Sequence, residues 1–172
     1  MNTKMISLDI SSKSTGVAIW NNGNLSKLKL IKRNRNESIQ AMYRSLWMLL
    51  AEEKPDILVV EKPVCLRGAA TQSMLDRLVG CVELYATLTG ADFWEYRPSQ
   101  WRKKICKIDE TPPRRRVEAK KWAINKAAIE YGVDVCDENG VPSDDMAEAY
   151  LIGMAHIIQM FKEFAFSYLE EA

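Results

Sequence analysis

Lys4-Met5-Ile6-Ser7-Leu8-Asp9-Ile10-Ser11-Ser12-Lys13-Ser14-Thr15-Gly16-Val17-Ala18-Ile19-Trp20 is the stretch that decides the fold. Ile6, Leu8 and Ile10 alternate with polar positions, the period of two expected of a strand. Ser11 to Gly16 is turn chemistry, and Val17 to Trp20 resumes β character. Asp9 is the odd residue, because aspartate is depleted in strands. It either caps the following turn through its own backbone or projects from the sheet as a metal ligand, and this stretch alone leaves both readings open.

The chain of 172 residues, 47% hydrophobic and 27% charged, suits one domain, 1–172, with a proper core. The longest apolar run, Ala149 to Phe161, is short for a membrane span and contains His156 and Gln159. Asp9 and Lys13 interrupt any signal-peptide core at the amino terminus. Cys65, Cys81, Cys106 and Cys136 are widely spaced with no C-x-x-C pair, which predicts reduced core thiols rather than a disulfide frame or zinc site. The net charge of +1 hides an asymmetry. Between Arg97 and Lys126 stand eleven Lys or Arg against three Asp or Glu. A basic stripe on an otherwise acidic body implies a polyanion partner met by one face, the plain alternative being a solvated helix face.

Along the chain, Leu25 to Lys32 reads as a third strand, and Glu37 to Glu53 as an amphipathic helix stopped by Lys54-Pro55-Asp56. Ile57-Leu58-Val59-Val60 is a strand buried on both faces that ends at Glu61. A second helix spans Gly68 to Gly90. A short strand follows at Phe93 to Tyr96, then a short basic helix from Pro98 to Ile105. Thr111-Pro112-Pro113 is expected to start a helix that carries Arg114, Arg115 and Arg116 and runs to Tyr131. Ser143 caps a last helix running to about Leu169. Strands first, then strand and helix in alternation, imply an α/β domain with a mixed sheet.

Glu61 mirrors Asp9, an acid at the carboxyl end of an apolar strand, where active sites of open α/β sheets collect. Its plain alternative is a loop residue paired with Lys62. Asp145 and Glu148 are three apart and Asp144 and Glu148 four apart, so either pair shares one face of the last helix. Such acids also complement the helix dipole. Four carboxylates brought together would repel unless cations sat between them, and magnesium suits such a site. Two ions about 3.5–4 Å apart bind a phosphodiester, activate a water and stabilise the leaving oxygen. Acids and basic stripe together favour a metal-dependent nuclease.

At three places the chain resembles the RuvC-like Holliday junction resolvases of the RNase H-like superfamily. Leu8 to Ile19 looks like the first-strand motif with its Asp, and Val59-Val60-Glu61 like the strand ending in the second acid. Asp145-x-x-Glu148-Ala149-Tyr150 with Leu151 to His156 looks like the carboxy-terminal acidic motif. The resemblance covers nearly the whole chain in order. It implies an RNase H-like fold with a five-stranded mixed sheet flanked by helices, and a homodimer in the cytoplasm of a bacterium or a phage-infected host. It also implies symmetric nicking of a four-way DNA junction with two magnesium ions, or manganese in their place. Asp9, Glu61, Asp145 and Glu148 are then the catalytic and metal-binding acids, with Asp144 in reserve for Asp145. Lys103, Lys104, Lys107, Arg114, Arg115, Arg116, Lys120 and Lys121 are the candidate DNA contacts.

Three departures stand out. Ser11 replaces a usual Gly, and Glu148 replaces a usual Asp. Val64 to Leu66 lacks the aromatic wedge of bacterial relatives, which fits a phage-type enzyme better. Other readings are a related nuclease for flaps, other branched DNA or RNA in hybrids, a non-catalytic nucleic-acid-binding module, and a sugar-kinase-like ATPase. The last needs two large domains and Gly-rich phosphate loops, which 172 residues with eight glycines do not supply.

Three further expectations concern single residues and the dimer. His156 reads as a satisfied core histidine. Trp94, Trp101 and Trp122 interleave with the basic stripe and are open to either base stacking or core packing, with Trp94 expected in the core. The helix from Gly68 to Gly90 shows more apolar surface than one stripe (Met74, Leu75, Leu78, Val79, Val82, Leu84, Leu88), which points to the dimer contact.

Overall fold

The computed structural model describes residues 3–64 and 68–170, with side chains through Phe164. Five strands form one mixed sheet in the order β3-β2-β1-β4-β5. They are β1 (Lys4–Asp9), β2 (Ser14–Asn21), β3 (Asn24–Lys32), β4 (Ile57–Glu61) and β5 (Asp92–Tyr96). β1 to β3 form an antiparallel meander, whereas β4 and β5 run parallel to β1. Asn22 and Gly23, at φ 51° and 77°, make the two-residue turn between β2 and β3, as a type I′ turn requires.

The helices are α1 (Ile39–Glu53), α2 (Ala69–Thr89), α3 (Pro98–Ile105), α4 (Arg116–Asn125) and α5 (Asp144–Glu170). Each sheet face carries its own core. Ile6, Leu8, Ile10, Leu58 and Val60 pack against Met42, Leu46 and Leu50 of α1 and Leu78 and Val82 of α2. Met5, Ala18, Trp20 and Val59 pack against Ala149, Leu151, Ile152 and Ala155 of α5, with Trp101 of α3 beside them. The central strands are thus covered on both sides, which accounts for their near-continuous apolar character.

Gly153 sets how closely α5 lies on the sheet. A Cβ there would stand 2.5 Å from the Ser7 hydroxyl and from Trp20 Nε1. Ser7 uses that close approach, donating to the Ala149 carbonyl at 2.7 Å and accepting from Trp20 Nε1 at 2.9 Å. The α5 backbone is therefore pinned to the sheet through a buried hydroxyl and one bare glycine.

Several sequence expectations are corrected. The fourth helix starts at Arg116, with Arg115 still extended as its N-cap, so Thr111 to Arg114 lie outside it. Lys126–Glu130 forms a π-helical turn rather than continuing the α-helix. Trp94 is 38% exposed on the edge strand β5 rather than in the core. Cys81, Cys106 and Cys136 are free but half-buried rather than core. Cys65, Leu66 and most of the expected wedge position lie outside the described residues.

His156 is buried, but only its Nδ1 has a partner, the Tyr96 hydroxyl at 3.0 Å; its Nε2 has none among the described residues. Burial lowers the imidazole pKa from its usual value. In α2, Leu78, Val79 and Val82 are buried, while Leu84 and Leu88 are 53% and 67% exposed. Among the described residues, no helix is long and apolar enough to cross a membrane.

Candidate active site

Register brings the two strand-end acids side by side. Leu8 pairs with Val60 across the parallel β1–β4 ladder, so Asp9 and Glu61 follow one step later on strands about 5 Å apart. Alternation puts Asp9 on the face of Met5 and Ser7, and Glu61 on the face of Ile57 and Val59, the face that α5 covers.

The start of α5 is held over those strand ends. Ser143 caps it, its Oγ accepting from the Met146 amide at 3.3 Å. Asp9 pairs with Gly16 in the β1–β2 ladder, and a Cβ on Gly16 would lie 1.8 Å from the Asp145 carbonyl oxygen. Only glycine lets the first turn of α5 rest on β2 at that point. Ser14, two residues earlier, donates its hydroxyl to the Asp145 carboxylate.

Burial and mutual repulsion dominate the electrostatics. Asp9 is raised well above the ordinary carboxylate range, first by burial and then by Glu148, Glu61 and Asp145, with Lys120 opposing. No donor among the described residues bonds to its carboxylate. Glu61 is raised to about 7, by burial and then by Glu148, against a hydrogen bond from Trp101 and the charge of Arg102. Glu148, 7% exposed, is also raised by burial, against Arg102 and Lys120. The four acids therefore act on one another.

Two of the acids are also tethered. Trp101 Nε1 donates to Glu61 Oε2 at 2.6 Å, and Arg102 donates to Glu148 Oε1 at 2.8 Å. Arg102 lies over the Trp101 ring, 4.9 Å from its centroid, so α3 supplies both tethers. Asp144 is ion-paired with Lys120. As these side chains stand, no group of three acidic, histidine or cysteine side chains among the described residues is close enough to hold an ion. Even so, the donor set suits one. Hard carboxylate oxygens, buried and repelling one another, match what a divalent cation such as magnesium takes.

The expected DNA contacts fall into several environments. Lys104 bonds to Gln159 and lies over the Tyr96 ring. Gln159 is fourteen residues along α5 from Asp145, a rise of roughly 21 Å. Lys107 pairs with Glu130 at 3.1 Å and Arg115 with Glu118 at 3.7 Å, both on the surface. Lys103, Arg114, Arg116 and Lys121 are exposed without an ion pair among the described residues. Lys120 stands in the acid cluster itself.

Reading the sequence missed Trp101 and Arg102 as neighbours of the acids, and Ser14 and Gly16 as their support. A weak signal existed. Trp101 and Ile105, four apart, mark the buried stripe of α3 and put Arg102 at its margin. Trp101 is fully buried, which excludes it from stacking on bases.

No protein-family model matches the chain, and no curated protein does. Solved structures do. Thermus thermophilus RuvC in complex with a Holliday junction substrate superposes with a TM-score of 0.68 at 14% identity, over 93% of this chain and 96% of that one. The fowlpox virus Holliday junction resolvase gives 0.65 at 15% identity, over 92% and 99%. The yeast mitochondrial resolvase Ydc2 gives 0.57 at 13%, over 96% and 84%. With its mixed five-stranded sheet, strand-end acids and long acidic-start helix, the chain has the RNase H-like fold of the RuvC-type junction resolvases.

Proposed function

We propose that the protein is a metal-dependent endonuclease that nicks four-way DNA junctions symmetrically. The observation that carries this reading is the set of four carboxylates, Asp9, Glu61, Asp145 and Glu148. They lie close enough to act on one another, and three of them are raised, first by burial and then by neighbouring carboxylates. A purely structural cluster would hold matching cations, as buried charges otherwise cost several kcal/mol. Here Arg102 and Lys120 oppose at least four acids.

Two magnesium ions between these oxygens would supply an activated water and charge relief at the leaving oxygen. The protein's own residues prepare that chemistry. Trp101 fixes one oxygen of Glu61 and leaves the other free, and Ser14 orients Asp145. Arg102 neutralises Glu148, which would be a ligand of the metal when it is bound, and the methylene that Glu148 has beyond Asp would give it the reach for either partner. Lys103, Arg114, Arg116 and Lys121 offer exposed positive charge to the phosphate backbone. A second copy of the chain would provide the second cut, with Leu84, Leu88, Trp47 and Met48 exposed on α1 and α2 as the apolar surface for it.

Incubation with labelled four-way junction, flap, duplex and RNA–DNA hybrid, with and without magnesium, tests the reading. Paired magnesium-dependent nicks in the junction are expected. Preferential cutting of the flap or hybrid would move the enzyme to a neighbouring substrate, and equal activity in chelator would overturn the metal centre.

A further inference from the structure

From Ile10 to Asn36 the chain carries six Lys or Arg and no Asp or Glu. This run lies apart from the α3–α4 stripe, and the fold delivers part of it to the acid cluster. Ser14, whose hydroxyl bonds Asp145, pairs with Lys32 in the β2–β3 ladder. The Arg33 amide donates to the Lys13 carbonyl at 2.9 Å, and Arg33 Nε donates to the Ser12 carbonyl at 2.8 Å. Ser11 closes the same turn, its hydroxyl donating to the Ser14 carbonyl at 2.5 Å and accepting from the Ser14 amide at 3.1 Å. The β1–β2 turn and the end of β3 are therefore one braced unit beside the acids.

Its charges divide into used and unused. Lys32 is paired with Asp137 at 2.6 Å, Lys29 with Glu53 at 3.7 Å, and the Arg33 guanidinium is spent on backbone carbonyls. Lys13 and Arg35 are exposed, with no partner among the described residues. Glu37 is the acid nearest to Arg35 in sequence, and one oxygen of its carboxylate accepts from the Asn34 amide at 2.9 Å.

Sheet order puts this unit on the β3 side of Asp9 and Glu61, while α3 follows β5 on the other. Four strand spacings separate the two edges, about 19 Å, the axial rise of five or six nucleotides of one strand. A strand laid across the acids therefore meets positive charge on both sides of them.

Resting on the nuclease reading, we propose that Lys13 and Arg35 form a second phosphate-binding surface. It holds the DNA backbone on the side of the scissile bond away from α3 and α4. The partner is the backbone of a duplex arm, bound by charge and without base readout.

The test is binding of a fluorescent four-way junction between 50 and 200 mM salt. Lys13→Ala with Arg35→Ala should flatten the log–log salt slope by about 1.8 and weaken binding roughly 10- to 100-fold. The melting curve should be unchanged. The exchange Lys13→Arg with Arg35→Lys should restore both slope and affinity. Lys27→Ala serves as control, because Lys27 pairs with Ile19, five residues or about 17 Å further along the ladder, and should change neither. An unchanged slope in the double variant, with the wild type binding and cutting, would overturn the second surface and leave the nuclease reading standing. A wild type that neither binds nor cuts DNA would overturn both.

Discussion

Two charge clusters in this molecule, one around a buried lysine and one around buried carboxylates, have opposite character. Around Lys126, whose side chain is 1% exposed, Glu110 lies at 2.5 Å and Glu130 at 3.2 Å, and Trp122 Nε1 donates to Glu110 at 2.6 Å. Although burial pushes Glu110 up, the bonds from Lys126 and Trp122 hold it below its usual pKa. Glu130 is lowered by Lys107 and then Lys126. Around Asp9 the carboxylates are raised instead. One cluster is satisfied by its own residues. The other is left short of positive charge, and it is there that the proposed cation site lies.

Substitutions should separate the clusters. Asp9→Asn or Glu61→Gln should lower junction cleavage by roughly 1000-fold or more, since metal-held charge stabilisation is worth several kcal/mol. The metal-free variants should melt higher than the wild type, because a repelling charge is gone. Cleavage rates and melting curves in chelator check both halves. Lys126→Met should do the reverse, costing on the order of 3 kcal/mol by stranding Glu110, read as a lower urea midpoint. Adding Glu110→Gln should recover part of that loss.

The smallest effect is in pH. Glu61 titrates at about 7 folded against an ordinary 4.5, so between those values the folded state binds more protons than the unfolded chain. Stability in chelator should therefore fall as pH rises from about 4.5 to 7, by on the order of 1–3 kcal/mol. Asp9 and Glu148 are shifted in the same direction. Melting temperatures at pH 5.5 and 8 measure the trend, and Glu61→Gln should flatten it. A melting temperature that rises over this interval would contradict it.

Much of this was legible in the sequence because it follows from local pattern. The alternation around Asp9, the apolar run ending at Glu61 and the Ser143 cap each determine an element and place an acid at its end. What stayed hidden depends on contacts between distant segments. Nothing near Gly16 announces that Asp145 would rest on it, 129 residues later. Arg102 looks like Lys103 and Lys104 in the sequence, and only the packing of Trp101 turns it toward Glu148. Trp94 is exposed because β5 lies at the sheet edge, and strand order is not written in any one strand.

The central claim is that the four carboxylates form one shared cation site. Magnesium titrated into the DNA-free protein at pH 8, followed by melting temperature, tests it most directly. Binding to the folded state alone raises the melting point by mass action. The wild type should gain several degrees at millimolar magnesium, and Asp9→Asn with Glu61→Gln should start higher in chelator and gain nothing. Equal gains in both proteins, or no gain in a wild type that still cuts junctions in chelator, would contradict it.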